Sequence, residues 1–315
     1  MEERSSRESR GAVTDKDIVR GLREVGLKAS DVVLVHSAMR TFGQVEGGAD
    51  TVVAALLDVI GERGTLVVPT FTFMHEAEED PIIDPLNDRS EMGIISETAR
   101  RHPAARRSTA FRHSLAAIGR LAEVICDVDP ALSPFDLRSS FGVMLALGAQ
   151  VLLLGMTYAT STSHHFAEWV CEVPYRHRVP RSVKVRCPDG SVVTRAMVDY
   201  QPKPTSKSSY YGTRKPDFNR LGRMLEDRGV VGITTIGNAV VRRFGMHDLI
   251  DLGQVEAAKD CNIFRTDEGK TGLMDFTPLP FGRIVLSPEM KDGAGRPNHY
   301  QWCVVDETRL QMPFT

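Results

Sequence analysis

The sequence predicts an α/β fold, and a strand–helix–strand unit near the N-terminus is the main reason. The apolar run Asp31–Val35 is typical of a short buried strand, residues 49–60 have the pattern of an apolar helix, and Thr65–Pro69 forms the next strand. A strand, a helix and a second strand within about 40 residues make a βαβ unit, which implies parallel strands and a sheet covered on its faces. Another apolar run, Val151–Leu154, enters a turn at a glycine and predicts a further buried strand.

The N-terminal region predicts a disordered lead followed by a helix. Residues 1–12 are mostly charged and polar, so we expect them to lie outside the folded domain. Thr14 and Asp17 resemble a capping box in which Asp replaces the usual Glu. Apolar residues at helical spacing follow, and Gly26 ends the predicted helix.

A glycine loop, Thr41–Gly48, joins the first predicted strand to the helix that follows it. Such a loop can cradle phosphate or carbonyl oxygens, because the first N–H groups of a helix lack partners within the helix. The loop matches neither G-x-G-x-x-G nor a Walker sequence, so it does not support nucleotide binding of those classes. A tight turn that simply requires glycine explains the loop equally well.

Composition and charge exclude several classes of protein. The 315 residues can bury a large core in one or two domains, and 39 basic residues nearly balance 41 acidic ones, so no overall charge favours nucleic acid or membrane. No apolar run approaches the roughly 20 residues that span a bilayer, and the charged N-terminus does not resemble a secretory signal. The five cysteines include no C-x-x-C motif. This predicts a protein of the reducing cytoplasm without structural zinc.

The stretch 155–168 carries the clearest candidate chemistry. Five Ser or Thr residues lie within 157–163, where we expect one of them to cap a helix that begins near Ser163. His165 and Glu168 are three apart and therefore share a face of that helix. A neutral imidazole whose second nitrogen is held by a carboxylate is a competent general base near pH 7.

Two other interpretations of this stretch stay open from local pattern alone. A His-x-x-Glu pair is more often a solvated contact on a helix surface. The adjacent His164 and His165 could instead ligate a metal, but neighbouring helical residues point in different directions. No third ligand lies at a standard zinc spacing, so we predict no metal.

The basic segment, residues 171–215, carries ten basic side chains against three acidic ones, a net charge of about +7. Within it, Cys187–Gly190 separates two alternating runs and predicts a β-hairpin. The positive charge has three explanations: contact with phosphate groups of a ligand, contact with another anionic ligand, or a solvated hairpin that contacts neither. Residues 13–265 then form the main domain, and the Gly- and Pro-rich residues 266–315 predict an extended tail packed on it.

A set of short motifs occurs in a specific order between about residues 14 and 250. The motifs are Val35–Ala49, Gly64–Thr70, Arg106–Ser108, His113–Ser114, Ser133–Phe135, Leu153–Glu168 and Gly237–Ala239. Each motif is modest, but the ordered set resembles the antibiotic N-acetyltransferase family, typified by the aminoglycoside 3-N-acetyltransferases.

The resemblance implies a mixed central sheet flanked by helices, distinct from the GNAT acetyltransferase fold, with the basic segment as an inserted hairpin. It implies acetyl-CoA as donor and a small-molecule amine as acceptor. It places the family's His-x-x-Glu on His165 and Glu168. The candidate coenzyme-binding residues, which include those of the glycine loop, are His36, Ser37, Thr41, Phe42, Gly43, Gly47, Gly48, Arg107, Ser108, His113 and Ser114.

The chain departs from the family pattern in two respects. The basic segment and the long tail after residue 265 are unlike what a polycationic aminoglycoside would favour, and two single positions also differ. His164 and Trp169 stand where the resemblance leads us to expect an aliphatic residue and a tyrosine. Both lie beside the predicted base, so we expect them to change the shape of the acceptor site.

The implied chemistry requires a base and oxyanion donors. An amine binds as an ammonium ion at neutral pH and must lose a proton before it attacks the thioester. His165 would take this proton, directly or through a water, while Glu168 fixes its tautomer and stabilises the imidazolium. Thr162 and its neighbours in 160–163 are placed to supply oxyanion donors through hydroxyl or first-turn N–H groups. No covalent acyl-enzyme is required.

Three functions are compatible with these residues. The first is an acetyl-CoA-dependent N-acetyltransferase that confers aminoglycoside resistance. The second is a biosynthetic N-acyltransferase that acts on an anionic amine such as an amino-phosphonate. The third is a non-catalytic ligand-binding relative, which an intact His–Glu pair disfavours. We expect no nucleic-acid or membrane partner, and a homodimer is left open.

Overall fold

A seven-stranded mixed sheet lies at the centre of the computed structural model. The structure describes residues 11–77, 81–203 and 216–265, and two short strands farther along the chain. In chain order the strands are β1 (Val32–Ser37), β2 (Thr65–Pro69), β3 (Ile82–Ile83), β4 (Arg106–Arg107), β5 (Leu115–Gly119), β6 (Gln150–Leu154), β7 (Arg176–Arg186), β8 (Val192–Pro202), β9 (Gly232–Ile236), β10 (Ala239–Gly245), β11 (Arg283–Val285) and β12 (Cys303–Val305).

The central sheet has the strand order β4-β5-β2-β1-β6-β10-β9. Its middle strands β2, β1 and β6 run parallel, while antiparallel pairs extend the sheet on both sides. The predicted βαβ unit and the mixed sheet implied by the family resemblance are therefore confirmed.

Eight α-helices accompany the sheet in the described part of the chain. They are α1 (Asp15–Glu24), α2 (Gly48–Ile60), α3 (Ile94–Arg100), α4 (Ala122–Cys126), α5 (Ser140–Ala146), α6 (Ser163–Val170), α7 (Asn219–Asp227) and α8 (Met246–Lys259). Alternate residues of each central strand point to opposite faces, so every strand contributes to two cores. In β1, for example, Val33 and Val35 pack with α1, α2 and α3, whereas Val32 and Leu34 pack with α4 to α8.

The capping box predicted at the N-terminus is present. The Thr14 hydroxyl accepts a hydrogen bond from the Asp17 backbone N–H at 3.3 Å, and the Asp17 carboxylate accepts one from the Thr14 N–H at 3.1 Å. These bonds satisfy N–H groups that the first turn of a helix leaves unpaired. The predicted helix therefore begins at its expected residue and is confirmed.

A second, smaller sheet contains the predicted hairpin. Strands β7 and β8 pair antiparallel around the turn at Cys187–Gly190, and β3 adds to β7 in parallel. The turn N–H of Gly190 donates to the Cys187 carbonyl at 2.9 Å. The hairpin is thus confirmed for residues 176–202, while its status as an insertion in the family domain stays a prediction.

Several predicted regions lie wholly or partly outside the described residues. They are residues 1–10 of the lead, 204–215 of the basic segment, and 266–315 apart from β11 and β12, which pair antiparallel. The predicted domain boundaries and tail stay predictions. Among the residues that the structure describes, no helix combines the length and apolar character needed to cross a membrane.

Gly155, directly after β6, is a position where both backbone and packing require glycine. Its φ is 68°, in the left-handed region, and a Cβ there would overlap the Thr41 hydroxyl. Gly148 has the same φ of 68°, but a Cβ added there would meet no heavy atom within 4 Å. Alanine at position 148 would therefore add backbone strain alone, whereas alanine at position 155 would add both backbone strain and steric overlap.

We predict that Gly155→Ala lowers the unfolding free energy more than Gly148→Ala does. Both substitutions should lose roughly 1–2 kcal/mol because alanine is strained in the left-handed region. Gly155→Ala should lose a further 1–3 kcal/mol, approximately, because the methyl group overpacks against Thr41. Urea denaturation of both variants measures the difference, and equal losses would contradict the close packing of Gly155 on the loop after β1.

Candidate active site

The candidate site lies where the parallel strands β1 and β6 end side by side. Ser37 is in register with Leu154, so the loops that follow both strands leave the sheet at the same edge. The Ala38 N–H donates to the Leu154 carbonyl at 2.9 Å and ties the two loops together. Sites in open α/β sheets usually form at such a carboxyl edge.

Helix α6 carries the predicted His–Glu pair at this edge. After β6 the chain turns at Gly155, forms a short 3-10 turn at Tyr158–Thr160 and enters α6. Helix α8 packs on α6 near Gly253, where an added Cβ would make ordinary van der Waals contact with Ala167 and Cys171.

The pair is in direct contact and largely buried. His165 Nδ1 lies 2.6 Å from Glu168 Oε2, the His165 side chain is 20% exposed, and the Glu168 side chain is 1% exposed. A carboxylate this buried is not part of a solvated surface contact, so that alternative interpretation is wrong. No described residue bonds to Nε2 of His165, and that nitrogen is the candidate base atom.

Glu168 contacts three polar side chains. Tyr175 donates its hydroxyl to Oε1 at 2.8 Å, and Arg176 Nε forms an ion pair with Oε2 at 2.8 Å, beside His165. Burial raises the pKa of the Glu168 carboxyl, but the charges of Arg176 and His165 and the hydrogen bonds outweigh it and hold the pKa below its usual value. The carboxylate is therefore ionised at neutral pH.

The pKa of His165 is lowered from its usual value. Burial is the first cause and the charge of Arg176 the second, while the Glu168 carboxylate acts in the opposite direction. The imidazole is therefore neutral near pH 7 and able to accept a proton.

Sequence reasoning missed both Tyr175 and Arg176 as partners of the pair. Arg176 was counted only among the charges of the basic segment. Neither spacing nor periodicity predicts that the first residue of β7 folds back onto α6, and the only available signal was its position directly after the helix.

Aromatic rings enclose His165 and connect it to a second predicted residue. The Phe218 ring meets His165 edge to face at 4.8 Å, and Phe135 lies 5.9 Å away. Phe135 also lies 4.9 Å from His113, so the structure places His113 one ring away from His165. Burial, followed by the positive charges of His165, Arg112 and Arg176, holds the pKa of His113 well below its usual value.

The hairpin packs on α6 through aromatic and charged contacts. Trp169 meets Tyr200 edge to face at 4.9 Å, and the Arg178 guanidinium lies 4.5 Å from the Trp169 ring centre. Trp169 therefore anchors the hairpin. The adjacent Asp199 is only 4% exposed and is paired with two arginines. They are Arg112, at 3.2 Å, and Arg181, at 3.1 Å.

His36 and Ser37 end β1 at the same edge as the pair. His36 is buried, its Nε2 has no hydrogen-bond partner among the described residues, and burial lowers its pKa to about 4. Ser37 is half-buried at the last position of the strand. An unpartnered buried nitrogen is compatible with a polar ligand or water in the native site. Coenzyme contact by these two residues stays a prediction.

The glycine loop is braced by its own backbone. Asn238 N–H donates to the Phe42 carbonyl at 3.1 Å, and Glu46 N–H donates to the Val13 carbonyl at 3.0 Å. The other candidate coenzyme residues of the loop are also explained by local structure. Gly43, Gly47 and Gly48 have the positive φ of tight turns. The Thr41 hydroxyl donates to the Ala38 carbonyl. These contacts support the tight-turn interpretation, and coenzyme contact by the loop stays a prediction.

Arg107, Ser108 and Ser114 form a cluster around the end of β2. Arg107 Nη2 donates to the Thr70 carbonyl at 2.6 Å, its Nη1 donates to the Asp88 carbonyl at 2.5 Å, and its Nε lies near the Thr70 and Ser114 hydroxyls. Ser108 accepts a hydrogen bond from the Leu115 N–H at 2.9 Å. Burial lowers the pKa of Arg107 to about 10.

This cluster therefore holds the segment before α3 against the sheet. It lies beside β2, one strand away from the loop after β1. The guanidinium N–H groups of Arg107 donate to protein acceptors in this structure. Contact of these residues with coenzyme stays a prediction.

The Ser/Thr-rich turn before α6 differs from expectation in one respect. No side chain caps α6, because Thr162 has helical backbone angles and its hydroxyl makes no cap bond. The His164 and His165 N–H groups donate instead to the Ser161 and Thr162 carbonyls, at 3.1 and 2.9 Å. The expected side-chain cap is therefore wrong. The buried hydroxyls of Ser161 and Ser163 have no described partner.

His164 points away from His165 and into the core, as neighbouring helical residues must. It is fully buried, stacks on Phe218 at 4.9 Å, and neither ring nitrogen has a hydrogen-bond partner among the described residues. Burial is the main cause that lowers its pKa to about 3. Within the described ranges no group of three or more His, Cys, Asp or Glu residues is arranged to hold a metal ion.

A buried His–Glu pair at the carboxyl edge of a mixed α/β sheet is an arrangement able to support general acid–base chemistry in an enzyme. The family is then set by comparison: the model of the aminoglycoside 3-N-acetyltransferase family matches residues 34–256, and the chain belongs to this family. It is accordingly an acyltransferase whose donor is acetyl-CoA.

Individual relatives agree with this assignment. The chain is 31% identical over 264 residues to aminoglycoside N(3)-acetyltransferase VII of Streptomyces paromomycinus, covering 78% of this chain and 91% of the relative. Its fold is similar to AAC-IIIb in a binary complex with CoASH, with a TM-score of 0.69, 22% identity, and 84% and 100% of the two chains covered. It is also similar to a mutant of AAC(3)-IVa in complex with apramycin, with a TM-score of 0.65, 25% identity, and 81% and 96% covered.

We predict that His164→Leu makes stability less sensitive to acid. The folded state holds this histidine neutral, with a pKa of about 3, whereas the unfolded chain binds a proton near its ordinary value of about 6.5. Between about pH 6.5 and about pH 4 the unfolded state therefore binds more protons, and stability falls as pH falls. Removing the histidine should reduce this slope by on the order of 1.4 kcal/mol per pH unit.

Urea denaturation across this pH range measures the slope. Phe166→Leu is the matched control, because it removes buried volume from the same helix without removing a titratable group. It should lower stability similarly at each pH. If His164→Leu and the wild type lose stability with the same slope, the buried neutral state of His164 is refuted.

Proposed function

We propose that His165 is the general base that activates the acceptor amine, and that Glu168 orients it. The observation that carries this proposal is the 2.6 Å contact between His165 Nδ1 and a buried, ionised Glu168. A proton on Nδ1 that is donated to the carboxylate leaves the lone pair on Nε2 free. The partly exposed edge of His165 is then the side from which an amine can approach.

In the proposed reaction the ammonium form of the acceptor first loses one proton to water, and the neutral amine then reacts. His165 Nε2 takes a proton from the amine as its nitrogen attacks the thioester carbonyl carbon, and the resulting imidazolium is stabilised by Glu168. A carbon–nitrogen bond forms and the carbon–sulfur bond breaks, so coenzyme A leaves as a thiolate. The imidazolium then returns the proton to the thiolate sulfur and restores the neutral base.

Oxyanion stabilisation is assigned to the turn before α6. Thr162 is 7% exposed and directly precedes the helix that carries the base. Two first-turn N–H groups already donate to backbone carbonyls, so the donors that remain for an oxyanion are the hydroxyl and N–H groups of residues 162–163. Donors of this kind act only when they are preorganised at the position where charge develops.

For the acceptor, we propose an amino group of an aminoglycoside, as the names of the relatives indicate. Coenzyme contact is assigned to the end of β1 with the loop after it, and to β4 with the loop before β5, which contain the residues predicted from sequence. A cytoplasmic location and a homodimer also stay proposals.

One observation favours a second candidate, an amine that carries an anionic group. The buried carboxylates beside the candidate site are already paired with arginines: Glu168 with Arg176, and Asp199 with Arg112 and Arg181. Polycations bind most favourably to uncompensated negative charge. The described residues around His165 offer less uncompensated negative charge than a polycationic acceptor would favour.

We predict that His165→Ala lowers kcat on the order of 10²–10⁴-fold and leaves the affinity for acetyl-CoA nearly unchanged. Glu168→Gln should lower kcat less, because the amide keeps part of the orientation. The acidic limb of the wild-type kcat/KM profile should lie below about pH 6.5, because burial and Arg176 lower the pKa of His165.

Steady-state kinetics and calorimetric titration with acetyl-CoA check these values. His102→Ala is the control, because this residue lies after α3 on the opposite face of the sheet. Full turnover in His165→Ala would remove the residue from the mechanism.

The acceptor is identified by release of free CoA with a panel of aminoglycosides and anionic amines, including an amino-phosphonate. We expect turnover of an aminoglycoside, with a KM that rises with salt because the acceptor is charged. Turnover confined to the anionic amines would instead establish the second candidate.

A further inference from the structure

We propose that Arg176 is a positioning residue for the His165–Glu168 pair, which keeps Glu168 ionised and opposes the charged form of His165. This inference rests on the proposed role of His165 as the base. It assigns a task in the reaction to a residue that the sequence placed only among the charges of the hairpin.

The guanidinium is held rigidly against both members of the pair. Arg176 Nε lies 2.8 Å from Glu168 Oε2, and its Nη2 lies 2.9 Å from His165 Nδ1. Its Nη1 donates to the Tyr200 carbonyl at 3.2 Å, and the side chain is only 6% exposed. A planar group fixed at three nitrogens cannot turn away from the pair, so its charge acts on both members at short range.

Nδ1 of His165 has either one proton or one lone pair, so it cannot serve both neighbours at once. When Nδ1 carries the proton, it donates to Glu168, and Nε2 is free to act as a base. When Nδ1 is unprotonated, Arg176 Nη2 donates to it and the proton lies on Nε2, which is then not a base. Arg176 and Glu168 therefore favour opposite tautomers of the same ring.

Arg176 is also the positive side chain that contacts the His165 ring directly, through Nη2. The other titratable groups near the pair are His164, the neighbour of His165 on α6, His113 from the loop before β5, Tyr175 from the segment before β7, and Tyr200 from β8. Burial lowers the pKa of both of these histidines and raises the pKa of both tyrosines, so all four are neutral near pH 7.

The consequence for catalysis is a base that does not retain its proton. A His–Glu pair alone would stabilise the imidazolium strongly, because a buried carboxylate attracts it without competition. Here Arg176 already compensates the charge of Glu168. The imidazolium can then release its proton to the leaving thiolate, and the base is regenerated in the neutral form.

The test compares Arg176→Gln and Arg176→Lys with the wild type. Arg181→Gln is the matched control, because Arg181 is another hairpin arginine paired with a carboxylate, Asp199, that keeps a second partner in Arg112. For each protein we would measure the pH profile of kcat/KM and the titration of the His165 ring by NMR. A His165→Gln variant assigns the His165 signal.

In Arg176→Gln we expect the acidic limb to move to higher pH. The ratio of kcat/KM at about pH 6 to that at about pH 8 should fall by roughly three- to tenfold, because the imidazolium is no longer opposed by a cation. Arg176→Lys should keep the acidic limb at its wild-type pH, because lysine keeps the positive charge. It should still lower kcat, because lysine lacks the planar guanidinium that contacts both members of the pair. Arg181→Gln should leave the profile in place.

The opposite result is that both Arg176 variants lose thermal stability, while the acidic limb of the kcat/KM profile and the NMR titration of His165 keep their wild-type positions. Arg176 would then merely anchor the hairpin, and the inference is overturned. If Arg176→Gln does not fold, the NMR titration of the wild type still tests the inference, because a His165 ring that titrates at or above the ordinary value of about 6.5 would overturn it. A His165 titration that moves as expected, together with full turnover in His165→Ala, would reject the proposed base but keep the effect of Arg176.

Discussion

The buried carboxylate of Glu168 is the constraint on which the site depends. An anion at 1% exposure is stable only when donors replace the water that it has lost. Here they come from different parts of the chain: His165 from α6, Tyr175 from the segment before β7, and Arg176 from β7 itself. The ionised carboxylate therefore ties the hairpin to the helix and orients His165 with the same set of bonds.

The sheet supplies the framework that brings these donors together. Strands β1 and β6 run parallel and end at the same edge, so α6 starts beside the loop that follows Ser37. The hairpin then covers α6 through Trp169 and Tyr200. Its arginines are largely engaged with carboxylates and aromatic rings, which explains how a strongly basic segment packs against a helix without exposing all its charge.

The local sequence was sufficient for features that depend on short-range geometry. The capping box at Thr14 and Asp17, the βαβ unit and the hairpin at Cys187–Gly190 are predicted and confirmed, because turn chemistry and periodicity act within a few residues. The contact of His165 with Glu168 follows from helical spacing alone. The expected side-chain cap of α6 was wrong, since Thr162 adopts helical backbone angles and the first N–H groups use backbone carbonyls instead.

By itself, the sequence determined the type of fold, the family pattern and which two residues form the pair, since each is a matter of residue type and spacing. Only the tertiary structure decided the electrostatic state of that pair. The pKa values of His165 and Glu168 depend on burial and on Arg176, which lies on a different element and meets them only after the hairpin folds back. Burial and through-space charge are properties of the packed chain, and no spacing along the sequence encodes them directly.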